Sequence, residues 1–191
     1  MRVLIACEFS GVVRDAFRRR GHEAWSCDLE GVEPEGEWPN YHLDGDCRWF
    51  LDGSHGPWPS WDMLIAFPPC THLAGSGARW WPDKLPQQAE ALDFVRTLMA
   101  APIERIAIEN PVGKISTAIR KPDQIIQPWQ FGHGEVKTTC LWLKNLPRLT
   151  PTKVVDGRYQ RIWRMGPSPD RAKERSRTYS GIAGAMAAQW G

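Results

Sequence analysis

Residues 1–28 constrain the fold more than any other part of the chain. RVLIAC is a short apolar run rich in β-branched residues, which suits a buried strand. In VVRDAFRRR, Val12, Val13, Ala16 and Phe17 recur at helical spacing, and three arginines stand where they complement a helix C-terminus. Gly21 ends that helix, and HEAWSCD resumes as a second strand closing on Asp28. A β-α-β opening of this kind implies a parallel sheet.

The alternation continues downstream. Residues 29–40 are rich in Gly, Pro and Glu and read as a loop; YHLDGD supplies a short third strand with Asp46 at its end. DMLIAF is the clearest buried strand, and the turn-rich PPCTHLAGSG follows it. After Pro86, Leu92, Val95, Leu98 and Met99 share one helical face, and RIAIEN is a fifth strand, with Pro111 placed to start the next helix. VKTTCLWL reads as an antiparallel hairpin strand, residues 157–178 as a basic irregular stretch, and SGIAGAMAAQW as a closing helix. The expected architecture is a single α/β domain, Rossmann-like, with a mostly parallel sheet and helices on both faces. Residues 1–115 hold the strand-end motifs, and 116–191 hold the C-terminal strands, the basic loop and the closing helix.

At 191 residues, with 42% hydrophobic and 24% charged residues, the chain can bury one core and is neither disordered nor a bundle of membrane spans. Glu8 interrupts the first apolar run, which argues against a secretory signal and for a cytoplasmic protein. Five cysteines without a C-x-x-C pair argue against disulfides and structural zinc. Charge is uneven: residues 28–62 hold nine acids against Arg48 alone, so a polyanion would favour the remainder.

An open parallel sheet binds ligands at the carboxyl ends of its strands. The residues there are Glu8, Phe9, Ser10 and Gly11, then Asp28, Asp46 and Cys47, then Phe67 to Cys70, then Glu109 and Asn110. Pro68 and Pro69 fix the backbone ahead of Cys70, which suits a nucleophile; the competing reading is a small buried hydrophobe. Such a thiol is only slightly ionised at neutral pH and needs activation. His72 or an arginine can supply it, and His72 reads equally well as a solvated histidine. An apolar strand that delivers Glu109 into a crevice raises its pKa by desolvation, making it a proton carrier, although a salt-bridged Glu beside a capping Asn fits position alone as well. Asp28 stands where an acid accepts hydrogen bonds from a ribose, and E-F-S-G has too few glycines for a pyrophosphate. The cofactor expected is a nucleoside without phosphates.

The succession F-S-G, Asp28, G-D-C, D-M-L-I-A-F-P-P-C and I-A-I-E-N-P resembles the motifs of the DNA cytosine-5 methyltransferases. That resemblance implies S-adenosylmethionine as methyl donor, with Phe9 against its adenine, Asp28 on its ribose, Asp46 near its amino group, and Glu8, Ser10, Gly11, Cys47 and Pro68 around it. It implies Cys70 as the nucleophile, Glu109 on ring nitrogen 3 of the cytosine, and DNA as the substrate. The chain departs from the family in having Val12 and Val13 where a second glycine is usual, and Pro-Cys-Thr for Pro-Cys-Gln. Lys137 and Thr138 stand where an arginine motif is expected, and there is no room for a target-recognition domain between that motif and the closing helix. Selectivity would then come from a protein partner. Arg158, Arg161, Arg164, Arg171 and Arg175, with Lys173 and Arg177, face only Asp170 and Glu174 over twenty residues and are interleaved with Tyr159 and Trp163. This pattern suits nucleic acid. Trp80 and Trp81, beside the Cys70 loop, can stack on a base. Two other readings stay open: a pyrimidine-nucleotide modifying enzyme, and a catalytically degenerate methyltransferase-fold DNA-binding module.

Overall fold

The computed structural model of the chain describes residues 1–191 apart from 34–35, 56–59 and 170. Asp170, one of the two acids counted in the basic stretch, lies outside the described residues. Five parallel strands form first: β1 (Arg2–Ala6), β2 (Glu23–Asp28), β3 (His42–Asp44), β4 (Met63–Ala66) and β5 (Arg105–Pro111). Two more, β6 (Gln124–Ile126) and β7 (Thr139–Lys144), complete a seven-stranded sheet of order 3-2-1-4-5-7-6, in which β7 runs antiparallel to both of its neighbours. The helices are α1 (Val12–Arg18), α2 (Leu85–Met99), α3 (Ile115–Ala118), α4 (Arg161–Arg164), α5 (Arg171–Ser176) and α6 (Ser180–Trp190).

Alternation along the strands divides the core into two layers. Leu4, Ala6, Leu64, Ala66, Ile106 and Ile108 point to one face and pack with Leu92, Val95 and Leu98 of α2. Val3, Ile5, Met63 and Ile65 point to the other and meet Val13 and Phe17 of α1 and Ile182, Met186 and Trp190 of α6. With helices on both faces, β1 and β4 must be apolar on both sides, as the runs VLIA and MLIA are. No helix of the described residues is long and apolar enough to cross a membrane.

Four local expectations shift. The third strand ends at Asp44, and Asp46 instead caps a 3-10 turn over Cys47–Phe50 by accepting from the Arg48 N–H at 3.0 Å. Pro111 stays in β5 opposite Thr139, and the following helix starts only at Ile115. Strand β6 was not foreseen: three residues carry no period, and the pairing is fixed by β7 and by Gln124, whose side chain exchanges two 2.7 Å bonds with the Leu149 backbone. The basic stretch contains the two short helices α4 and α5 rather than being wholly irregular.

Strand order reverses at β1, since β2 lies on one side of it and β4 on the other. The crevice at the carboxyl ends of β1 and β4 is therefore where this topology places a ligand.

Candidate active site

The turn after β4 is held by the loop after β5. Asn110, buried at the end of β5, donates from Nδ2 to the Pro68 carbonyl at 2.7 Å, while its Oδ1 is buried without a partner among the described residues. The Lys114 N–H donates to the Leu73 carbonyl at 2.7 Å, and the Gly75 N–H to Val112 at 2.9 Å. This lacing needs glycine at 113, where a Cβ would lie 2.0 Å from the Leu73 oxygen. The Cys70 carbonyl accepts from the N–H groups of Leu73 and Ala74 at 3.0 and 2.8 Å. Pro68 and Leu73 are buried on either side of this turn, and Cys70 is left exposed at its apex.

Glu109 sits one residue before Asn110 and lines a small cavity with Phe67, Lys137, Thr139, Tyr179 and Met186. The cavity has room for little more than a water molecule. Burial pushes the Glu109 carboxyl above its ordinary range, against the opposing pull of Lys137 and a hydrogen bond from Thr139. The Cys70 thiol is also raised, first by the desolvation that the surrounding crevice imposes and then by the charge of Glu109, while Lys137 and Arg175 act the other way. Thiol, carboxyl and two cations therefore share one electrostatic neighbourhood. The His72 carbonyl accepts from Gln88 Nε2 at 3.1 Å, and its ring Nδ1 is buried without a partner among the described residues.

The other half of the crevice, at β1 to β3, is tightly bonded to itself. Glu8 is buried and caps α1, accepting from the Val13 N–H at 2.6 Å and the Arg14 N–H at 3.2 Å. Desolvation lifts its pKa to about 7 despite those bonds. Arg14 is fully buried, with Nε on Asp15 at 2.7 Å and Nη1 on Ser26 at 2.9 Å. Gly11 has φ +68°, and a Cβ there would fall 2.3 Å from Arg14 Nη2, so this glycine makes room for a guanidinium. Ser10 is buried, and the Phe9 carbonyl accepts from the Glu33 N–H at 3.0 Å. Asp28 is half-buried, accepts from the Glu30 N–H at 3.0 Å, and is raised by desolvation. The Asp46 carboxylate is held below its usual range, chiefly by the side chain of Arg48 at 2.8 Å. Cys47 is buried, and Cys27 Sγ, in the same core, lies 3.4 Å from the Gly45 carbonyl oxygen.

The basic segment is in part tied down. Arg158 stacks 3.9 Å over the Trp129 ring, Arg161 pairs with Glu135 at 3.0 Å and Glu174 at 3.5 Å, and Arg177 pairs with Glu33 at 2.7 Å. Lys173 and Arg177 lie 5.6 and 5.9 Å from the Phe9 ring centroid. Arg164, Arg171 and Arg175 form no ion pair among the described residues, and Tyr159 and Trp163 are exposed. The sequence reading missed Thr139 and Tyr179 in the cavity wall and the buried Arg14. Each reached its place by packing with a distant segment, and no local pattern marks it.

No protein-family model matches the chain, and no curated protein matches it significantly. Solved structures do. A prophage-encoded Escherichia coli protein described as a DNA modification methyltransferase aligns with a TM-score of 0.51 at 13% identity, over 82% of this chain and 52% of its own. A DNMT2 variant from Spodoptera frugiperda gives 0.50 at 16%, over 83% and 54%. The Dnmt2 methyltransferase of S. pombe gives 0.50 at 16%, over 90% and 58%. The chain spans a little over half the length of the solved structures it matches. With its seven-stranded, mostly parallel sheet and helices on both faces, the chain has the α/β fold of these methyltransferases.

Proposed function

We propose that residues 1–191 form one methyltransferase-like unit that transfers a methyl group from S-adenosylmethionine to carbon 5 of cytosine in DNA, through a covalent adduct with Cys70. One observation carries this reading: β4 and β5, adjacent and parallel, deliver an exposed thiol and a cavity-lining carboxyl into one electrostatic neighbourhood. Carbon 5 of cytosine is a weak nucleophile, and addition of the Cys70 sulfur to carbon 6 makes it a reactive one. Burial favours the protonated form of Glu109, which then donates to ring nitrogen 3 as charge builds there. Protonation of Glu109 also removes its repulsion of the Cys70 thiolate, so each group prepares the other. Lys137 and Arg175 favour the thiolate directly. Asn110 holds the Pro68 turn and so fixes the thiol relative to the carboxyl.

The cofactor supplies an electrophilic methyl. The half-buried Asp28 at the end of β2 suits ribose hydroxyls, and the Phe9 ring suits the face of the adenine. Glu8 and Gly11 act beneath that pocket by fixing α1 and Arg14. The small cavity beside Glu109 must widen to admit a base, and Thr178 and Tyr179 form the wall that would withdraw. Arg164, Arg171 and Arg175 are the cations available to DNA phosphates, with Tyr159 and Trp163 available for stacking. Selectivity for a target sequence rests with a protein partner.

DNA carrying 5-fluorocytosine tests the reading, because fluorine blocks the final proton removal from carbon 5. With cofactor present, the wild type is expected to form a covalent complex that survives denaturing electrophoresis, and Cys70→Ser to form none. Absence of trapping by the wild type on DNA of mixed sequence counts directly against the covalent route.

A further inference from the structure

Residues 157–164 are fastened to the wall of the cavity that Glu109 lines. Tyr159 bridges Glu135 in parallel, donating its N–H to the Gly134 carbonyl and accepting from the Val136 N–H, both at 2.9 Å. Lys137, two residues on from Glu135, lines the cavity. The Glu135 carboxylate accepts from Arg161 Nε at 3.0 Å and from the hydroxyl of Tyr179, another cavity residue, at 2.7 Å. Arg158 is pinned 3.9 Å over the Trp129 ring. The backbone and these two arginines are thus committed to the fold, and the segment turns outward Tyr159, 74% exposed, and Trp163, 76% exposed.

Other exposed tryptophans differ from this pair. Trp80 carries the Arg79 guanidinium 4.7 Å from its ring, and Trp49 backs onto Gly45, where a Cβ would lie 3.1 Å from its ring. Among the described residues no cation lies over Tyr159 or Trp163. Beside Trp163 stands Arg164, which, like Arg171 and Arg175, forms no ion pair among the described residues. Arg175 is close enough to Cys70 for its charge to favour the thiolate, so this basic run reaches the nucleophile as well as the cavity wall. Uncovered rings interleaved with unpaired cations match a polyanion whose base faces are open. A duplex keeps those faces inside its stack and presents phosphates and groove edges, whereas a single strand presents faces and phosphates together.

We propose that the substrate taken here is single-stranded DNA, with Tyr159 and Trp163 stacking on bases next to the target and Arg164, Arg171 and Arg175 following the backbone. The target's identity as cytosine rests on the methyl-transfer reading; the stacking surface rests on the contacts above. An unpaired target enters the cavity, once Tyr179 withdraws, without the cost of leaving a duplex.

The test titrates the intact chain into a fluorescein-labelled DNA strand of mixed sequence, its duplex and its RNA counterpart, by anisotropy over a salt series, and then offers each with tritiated S-adenosylmethionine. The wild type is expected to bind the DNA strand roughly tenfold or more tighter than the duplex and to methylate it faster. Replacing Tyr159 and Trp163 together by Ala should weaken binding to the strand by roughly tenfold or more and to the duplex by less than about twofold, with the unfolding midpoint unmoved. Replacing both by Phe should restore most of the affinity. Replacing Arg164, Arg171 and Arg175 by Ala should flatten the slope of log affinity against log salt by about 2 for the strand. Equal binding of strand and duplex, equal losses on both, an unchanged salt slope, or tighter binding of the RNA overturns the proposal. A strand that is bound as expected but never methylated refutes the methyl-transfer reading instead, and the surface then stands as a single-strand binding site alone.

Discussion

The two sides of the strand-end crevice are built on opposite principles. At β1 to β3 the charged groups have partners inside the protein: Glu8 on two backbone N–H groups, Arg14 on Asp15 and Ser26, Asp46 on Arg48. At β4 and β5 the candidate groups are only partly satisfied. Cys70 is exposed, burial pushes the Glu109 carboxyl above its ordinary range, and the Asn110 amide oxygen is buried without a partner among the described residues. Backbone bonds and the Asn110 amide hold the second side in place and leave Cys70 exposed. Acids at similar positions in a sheet thus differ in how far partners within the protein already satisfy them.

The comparison is sharpest at Arg14. Replacing it by Leu leaves Asp15 charged and buried without its partner, so unfolding in denaturant should show a loss of about 3–5 kcal/mol. The corresponding change across the crevice, Cys70→Ser, should leave the unfolding midpoint unmoved. A stable Arg14→Leu variant would mean that the first side is no more structural than the second.

Glu8 gives a smaller effect with a definite direction. Its folded pKa, about 7, lies above the ordinary 4.5, so the stability tied to its protonated form is present below pH 4.5 and is lost as pH rises through about 7. Denaturation of wild type and Glu8→Gln at pH 4.5 and pH 8 should differ in their change with pH by roughly 2–3 kcal/mol. Parallel curves would show that the Glu8 carboxyl is solvated in the folded protein.

The smallest effect tests whether Cys70 and Glu109 face each other. Glu109→Gln removes the negative charge that raises the thiol, so iodoacetamide should alkylate Cys70 about two- to fivefold faster at pH 8. An unchanged rate would mean that the carboxyl carries no charge at pH 8 or lies too far from the thiol to act on it. A slower rate would mean that the carboxylate assists the thiol rather than opposing it.

Much of the scaffold was legible because its signals are local. RVLIAC, DMLIAF and RIAIEN are apolar on both faces, and that pattern alone marks parallel strands covered by helices. The helix over Leu85–Met99 announced its buried face through Leu92, Val95 and Leu98. The Pro-Pro before Cys70 marked a rigid turn, and the structure places that residue at an exposed apex. The basic stretch was legible only as charge. Net charge says nothing of which cations are already paired, and Arg161 and Arg177 are held by Glu135 and Glu33.

From the sequence alone came the parallel sheet, the succession of its first five strands along the chain and the residues standing at their carboxyl ends, because period, turn and cap depend on neighbours within a few positions. Tertiary structure decided what each of those residues touches. Gly11 yields to Arg14, Glu109 joins Lys137 and Tyr179 in one cavity wall, and Arg177 reaches across 144 positions to Glu33. Burial and pairing set the charge state of a group, and both depend on segments that are remote in the chain and adjacent only once it has folded.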